Sequence, residues 1–331
     1  MGSAVLAFFL VWALTTGADV LLRAFVRWRA GRRALARGAS EEPAPRLARA
    51  AQERPETVRE THVPEAEPTP NAAAPLVRVP SRLPVRVGPT RLPILFAHGY
   101  FGFDALGVPR RPEYFRGIRA ALEAAGHVVH VARVSPTASV AMRAAELEAQ
   151  VRRLNGRVNI IAHSMGGLDA RYAITELGLA DAVASLVTVG TPHFGTPLAD
   201  SGASVLGDLQ TTRRLLATMG LNLDGLYDLT TPHMAAFNRK VVDHPGVLYA
   251  SVVGSVNHRL LPVNALLAPG YAFLWRRAGA NDGVVPAASQ RWGEVLDEID
   301  ADHWAQIGWS TGFDARTLYA TVAQTLAARG L

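Results

Sequence analysis

Ser164 stands in the run Asn159-Ile160-Ile161-Ala162-His163-Ser164-Met165-Gly166-Gly167. An apolar stretch that fits a buried strand stops at a serine, and two glycines open a helical pattern behind it. That strand–turn–helix context holds a serine as an exposed nucleophile on a tight, strained turn, so the positions two residues away must be small. Here they are Ala162 and Gly166, giving A-x-S-x-G where the usual form is G-x-S-x-G. A serine hydroxyl attacks a carbonyl with a base to take its proton, a carboxylate to orient that base, and donors for the developing oxyanion. Asn281-Asp282-Gly283-Val284-Val285-Pro286 offers an acid at the tip of a polar turn, and His303 in Asp302-His303-Trp304 follows Asp282 by 21 residues. His98-Gly99-Tyr100-Phe101-Gly102 offers a turn whose N–H groups can face the nucleophile and whose glycines admit a carbonyl oxygen closely.

Other residues compete for these roles. His98, His163 and His193 all lie beside turns near the presumed site. His163 is too close to Ser164 in sequence to fold back on it, His98 reads as a brace of the upstream turn, and His193 reads as a loop residue. Asp300 and Asp302 compete with Asp282, whose Asn-Asp-Gly setting is also an ordinary turn.

The elements that must position these residues alternate. Strand-like runs fall at 93–97, 127–134, 158–162, 184–189, 247–253 and before Ile299, with helical spacing at 112–126, 140–154, 166–177, 264–277 and 317–328. This alternation implies βαβ units and a largely parallel sheet covered on both faces, with its site at the carboxyl ends of the strands. The chain order Ser164, Asp282, His303 is that of the α/β-hydrolase fold.

A body of this length buries a substantial core. The net charge of +6 is unevenly placed: residues 1–90 hold 13 arginines against 8 acids, and residues 91–331 hold 21 basic against 20 acidic side chains. Nucleic-acid binders concentrate basic charge on the folded module, so no nucleic-acid partner is expected. Arginine outnumbers lysine 33 to 1, the mark of a GC-rich genome's codon usage. With no cysteine, disulfides, thiolate metal sites and a cysteine nucleophile are excluded.

Ala4 to Leu14 is wholly apolar, apolar character resumes at Val20 to Val26, and arginines 23, 27, 29, 32, 33 and 37 accompany and follow it. A membrane anchor over about residues 4–24 is the first reading, its arginines favouring a cytoplasmic carboxyl-terminal side. A cleaved signal peptide implying export, and an interfacial basic helix over 18–37, are the alternatives. Residues 38–75, rich in Ala, Pro, Glu and Arg, bury too little to offset their ordering entropy and read as a disordered linker. The catalytic domain then spans 76–331. Its segment from about 197 to 245 is too long for a simple connection and reads as a helical cap or lid, with ordinary packing of an inserted subdomain as the alternative.

The body resembles the bacterial true lipases, the Pseudomonas/Burkholderia/Proteus type of triacylglycerol lipase. The resemblance runs collinearly over roughly residues 92–310. It rests on residues 93–104 and 158–167, on Val187-Thr188-Val189-Gly190-Thr191-Pro192-His193, on Asp228-Leu229-Thr230-Thr231 with Phe237-Asn238, and on Asn281-Asp282-Gly283-Val284-Val285. It implies Ser164 as nucleophile, His303 as base, Asp282 as its orienter, and oxyanion donors from the N–H groups of Tyr100 and Met165. It also implies a lid that opens at a lipid surface. In the family an aspartate two positions after the catalytic histidine helps bind a structural calcium; that position is Ala305 here, and the later ligands are not recognisable in Ile307-Gly308-Trp309. No metal and no organic cofactor are therefore expected.

The sequence thus predicts a serine carboxylic ester hydrolase, a lipase acting on a lipid or ester substrate at a lipid interface or membrane. A short-chain esterase, a polyester depolymerase or an acyltransferase of the same fold are the alternatives. A serine peptidase or amidase is a further one, and a membrane-tethered, non-catalytic binding protein is the reading from another class.

Overall fold

The computed structural model describes residues 88–100, 113–207, 224–256, 263–310 and 312–331. The apolar leader, the linker and the middle of the expected cap lie outside the described residues. Six strands, β1 (Ile94–Ala97), β2 (Val129–Val131), β3 (Val158–His163), β4 (Val183–Val189), β5 (Leu248–Ser255) and β6 (Glu294–Asp300), form one sheet in the order β2-β1-β3-β4-β5-β6. All five pairings are parallel.

Helices α1 (Ile118–Ala124), α2 (Val140–Arg152), α3 (Gly166–Glu176), α7 (Ala268–Ala278) and α8 (Ala315–Ala328) connect or follow the strands, while α4 (Pro197–Gly207), α5 (Asp224–Asp228) and α6 (Thr231–Lys240) lie between β4 and β5. Among the described residues no helix is long and apolar enough to cross a membrane.

Burial on both faces explains why the central strands are mostly apolar and do not alternate, their few polar side chains (Asn159, Ser185, Thr188, Ser251) being buried too. Ile94 and Phe96 of β1 pack with Ile118 and Leu122 of α1 and with Leu318, Tyr319 and Val322 of α8. Leu95 and Ala97 point the other way, onto Ala144, Leu147 and Val151 of α2 and Ala170, Ala173 and Ile174 of α3. Each fully buried Leu, Ile or Phe in these layers contributes about 1.5–3 kcal/mol. The edge strand β6 is instead acidic and exposed at Glu294, Asp297, Glu298 and Asp300, which discourages pairing with another chain.

The topology fixes where the site can be. From β1 the chain goes out to β2, returns to β3 on the other side of β1, and then advances strand by strand to β6. Such a reversal leaves a crevice at the carboxyl ends of the two strands. Ala97 and Ala162 are register partners there, so His98-Gly99 and His163-Ser164 leave the sheet side by side. The helix expected over 112–126 covers only Ile118–Ala124, because Gly117 takes a left-handed φ of 68° and ends the helical path on its amino side. Phe115 is buried all the same, in the turn before it.

The inserted helices pack onto the elbow. Leu226 and Leu229, at and just after α5, and Met234 and Phe237 of α6 share an apolar cluster with Tyr100, Met165 and Leu168. The insertion therefore rests on the side chains of the two residues whose amides are the candidate oxyanion donors.

Candidate active site

Ser164 has φ = 56°, and among the described non-glycine residues only Asn155 shares a positive φ. A left-handed non-glycine residue costs about 1–3 kcal/mol and persists only where its surroundings over-determine it. Here Ser164 N donates to Val189 O at 2.9 Å, and Ser164 O accepts from Thr191 Oγ1 at 2.7 Å and from Gly167 N at 3.1 Å. Gly166 must be glycine, since an added Cβ would lie 2.5 Å from Ala97 O and 2.8 Å from His98 O. On the other side a Cβ at Gly99 would stand 2.7 Å from Ser164 Cβ. The His-Gly turn thus lies directly against the serine, as the register of β1 and β3 requires.

Asp282 and His303 come together from turns at the carboxyl ends of β5 and β6. Val256, just past β5, donates its amide to Asn281 O at 3.0 Å, which brings the Asn-Asp-Gly turn to that strand end. Asp282 is fully buried, and its Oδ2 lies 2.7 Å from His303 Nδ1. A carboxylate oxygen accepts, so Nδ1 carries the proton and Nε2 is the basic nitrogen. His303 N also donates to Asp282 O at 2.8 Å. Asp282 Oδ1 accepts from the amides of Val284 (2.9 Å) and Val285 (2.7 Å), and Oδ2 accepts a second bond from Gln306 Nε2 at 3.0 Å.

The ring of His303 lies 4.5 Å, centroid to centroid, from that of His163, the residue before Ser164. Among the described residues no hydrogen bond joins Ser164 Oγ to His303 in this conformation. Serine–imidazole contacts of this kind commonly tighten only when substrate is bound.

The candidate oxyanion turn is braced from both sides. Gly99 N donates to the Tyr114 hydroxyl at 3.1 Å, so that amide is already used. The same hydroxyl lies 2.8 Å from His163 Nδ1. Burial first, and the neighbouring His303 second, hold His163 well below the ordinary imidazole pKa. A neutral imidazole then accepts the phenol's proton at Nδ1. Below the turn, Arg143 NH2 donates to His98 O at 2.7 Å, and Nε donates to Asp169 Oδ2 at 2.9 Å. Arg143 and Asp169 are both essentially unexposed. This buried pair ties the turn after β1 to the first turn of α3. Met165 N, at the amino end of α3, belongs to the helix-terminal amides that lack an intrahelical acceptor.

The competing residues have other work. Burial, reinforced by Arg143, lowers the His98 pKa to about 3, and its Nδ1 lies 3.0 Å from Gly99 O. His193 is fully buried between Thr188 Oγ1 (3.0 Å) and Arg171 NH1 (3.3 Å) and stacks on Trp292. Asp302 Oδ1 accepts from the amides of Trp304 and Ala305 and from Ser310 Oγ, and its Oδ2 accepts from Asn264 N at 2.8 Å. It shapes the loop that carries His303. Asp300 is exposed at the end of β6.

The calcium that the resemblance implies does not fit these residues. Ala305 packs in the apolar core beside Ile307, and both oxygens of the neighbouring Asp302 carboxylate are taken by protein donors.

Tyr114, Arg143, Asp169 and Gln306 were not singled out from the sequence. One signal was available: Arg143 falls in the buried stripe Val140, Ala144, Leu147 and Val151 of α2. An arginine there must find a buried partner.

Fold and site together define an α/β-hydrolase with a serine elbow and an Asp–His pair beside it. A family described as PGAP1-like alpha/beta domain matches residues 138–216. A triacylglycerol lipase of Pseudomonas fragi is 30% identical over 292 residues, covering 73% of this chain and 98% of its own. Triacylglycerol lipase 2 of Saccharomyces cerevisiae is 32% identical over 209 residues, 60% of this chain; the chain spans 63% of that relative's length. Among solved structures, a metagenomic carboxyl esterase superposes with a TM-score of 0.65 at 21% identity, over 76% of this chain and 80% of its own, a likeness of fold. The chain belongs to the triacylglycerol lipase family.

Proposed function

We propose that this protein hydrolyses carboxylic esters of the acylglycerol class through an acyl-enzyme on Ser164. The observation that carries the reading is the 2.7 Å bond between His303 Nδ1 and Asp282 Oδ2 beside a serine held at φ = 56°. His303 Nε2 takes the Ser164 proton as Oγ attacks the acyl carbonyl, and Asp282 stabilises the resulting imidazolium. The N–H groups of Tyr100 and Met165 receive the oxyanion. His303 then protonates the leaving alcohol. Water, deprotonated by the same nitrogen, releases the fatty acid and restores Ser164.

The relatives' names support a lipid substrate. Helices α4 to α6, stacked over Tyr100 and Met165, serve in this reading as a cap that responds to a lipid surface. Residues 4–14 and 20–26 are apolar enough to hold the enzyme at a membrane, with export after cleavage as the alternative; fractionation and amino-terminal sequencing of the expressed protein separate them. No calcium takes part.

Hydrolysis of a nitrophenyl ester chain-length series tests the activity, with Ser164→Ala as control. Preference for long acyl chains is expected, with turnover lost in the variant. Turnover of short esters alone would favour a short-chain esterase.

A further inference from the structure

We propose that Gln306 is a positioning residue for the Asp282–His303 pair, its amide holding the carboxylate oxygen that orients the imidazole. This rests on the catalytic reading just given. Asp282 Oδ2 accepts from both His303 Nδ1 (2.7 Å) and Gln306 Nε2 (3.0 Å), while Oδ1 accepts from two backbone amides. Four donors fill the lone pairs of the carboxylate. Without Gln306, Oδ2 would be fixed only by the imidazole it has to orient.

The fold makes room for this side chain and for little else. Gln306 is fully buried in a slot between the ends of β4 and β5. An added Cβ at Gly190 would collide with its Oε1, and one at Gly254 with its Nε2. Gly190 also has φ = 60°, a conformation that favours glycine on its own account. The turn Ala305–Ile307 sets Gln306 three residues after His303, with Gln306 N donating to Asp302 O at 3.1 Å. Both side chains then reach the same carboxylate.

The other end of the amide argues that packing is not the reason for a glutamine. Oε1 turns toward His163, yet neither it nor His163 Nε2 completes a hydrogen bond of normal geometry. A buried acceptor left this way is costly, and a leucine or methionine would fill the slot without that cost. What an apolar residue cannot supply is the Nε2–H donor. An amide also donates at every pH, whereas a carboxyl group in that slot would donate only when protonated.

The full chain, with Gln306→Leu and Gln306→Glu, tests this. Removing a donor to a catalytic carboxylate should lower kcat about tenfold or more with KM nearly unchanged. The acid limb of the kcat/KM profile should move to higher pH, because a carboxylate with one donor fewer binds imidazolium harder. Relative to the wild type, Gln306→Glu should lose least at the acid end of the profile, where its carboxyl carries a proton to donate, and fall further behind as pH rises, because two adjacent buried carboxylates resist joint ionisation.

A second readout needs no turnover. The downfield proton resonance of His303 Nδ1, identified by its loss in His303→Ala, should shift or broaden in Gln306→Leu. Unchanged kcat, acid limb and resonance in Gln306→Leu, whatever its melting temperature, would overturn the proposal. If the wild type shows no Ser164-dependent hydrolysis, the catalytic reading fails separately, and the resonance still decides whether Gln306 fixes the pair.

Discussion

Tyr114 and His163 meet through a 2.8 Å hydrogen bond, and the same phenolic oxygen accepts the Gly99 amide at 3.1 Å. One buried hydroxyl therefore couples the residue before Ser164 to the turn that carries a candidate oxyanion donor. Tyr114→Phe leaves both partners buried and unpaired at that point. It should destabilise the protein by about 1–3 kcal/mol and lower kcat more than it changes KM. Urea unfolding and steady-state kinetics check this; an unchanged kcat would detach the phenol from the site.

Asp282 is matched to His303 by two contacts, side chain to side chain and carbonyl to amide. Asp282→Asn keeps the shape but offers the imidazole the wrong partner, and kcat should fall by about 10⁴. Asp302→Asn, which alters only the loop framework, should act on stability. Comparable kcat losses in the two variants would reassign the acid.

Arg143 and Asp169 form an ion pair at 2.7 Å with both side chains out of solvent. Breaking such a pair on one side strands the other charge. Arg143→Met alone should cost about 3–5 kcal/mol, and the double substitution Arg143→Met with Asp169→Leu should recover much of it. Chemical denaturation of the three proteins measures the difference; equal losses would show that the pair's geometry, and no stranded charge, sets the cost.

Acid should destabilise the fold already between pH 7 and pH 5. Burial lowers His98 to about 3 and holds His163 and His193 well below the ordinary value. Unfolded histidines titrate near ~6.5, so below that pH the unfolded chain takes up protons that these three refuse. Their contribution is present above about pH 6.5 and falls as pH drops, by about 2 kcal/mol for His98 at pH 5. Asp169 works the other way: burial, opposed by Arg143, raises it to about 6, so its contribution is present at low pH and lost as pH rises through that value. Burial also raises Asp228 and Asp243 and lowers His127, and the three fully buried histidines outweigh the aspartates. The melting temperature should drop between pH 7 and pH 5; a rise would contradict the burial of these rings.

Much of this architecture was legible in the sequence because its signals are local. Strands buried on both faces give predominantly apolar runs, so β1, β3, β4 and β5 fall within a residue or two of their expected spans. Ser164, Asp282 and His303 each sit at a turn marked by glycine, asparagine or an acidic neighbour. The overreach at 112–126 has a local cause too, since Phe115 satisfies helical spacing while occupying a buried turn closed by the left-handed Gly117.

What sequence could not supply was contact across the fold. Gln306 means nothing in Ala-Gln-Ile until Gly190 and Gly254 are seen to leave it a slot. Tyr114 reaches His163 across 49 residues of chain. His193, weighed as a base from its place beside a turn, proves to be packed between Arg171, Thr188 and Trp292.

The measurement that tests the central claim most directly is covalent capture of the nucleophile. The full chain is incubated with a fluorophosphonate, digested and mapped by mass spectrometry, with Ser164→Ala and His303→Ala alongside. Stoichiometric labelling of Ser164, abolished in the first variant and strongly slowed in the second, is the predicted result. Labelling elsewhere, or an unreactive Ser164 in the folded wild type, would contradict the account.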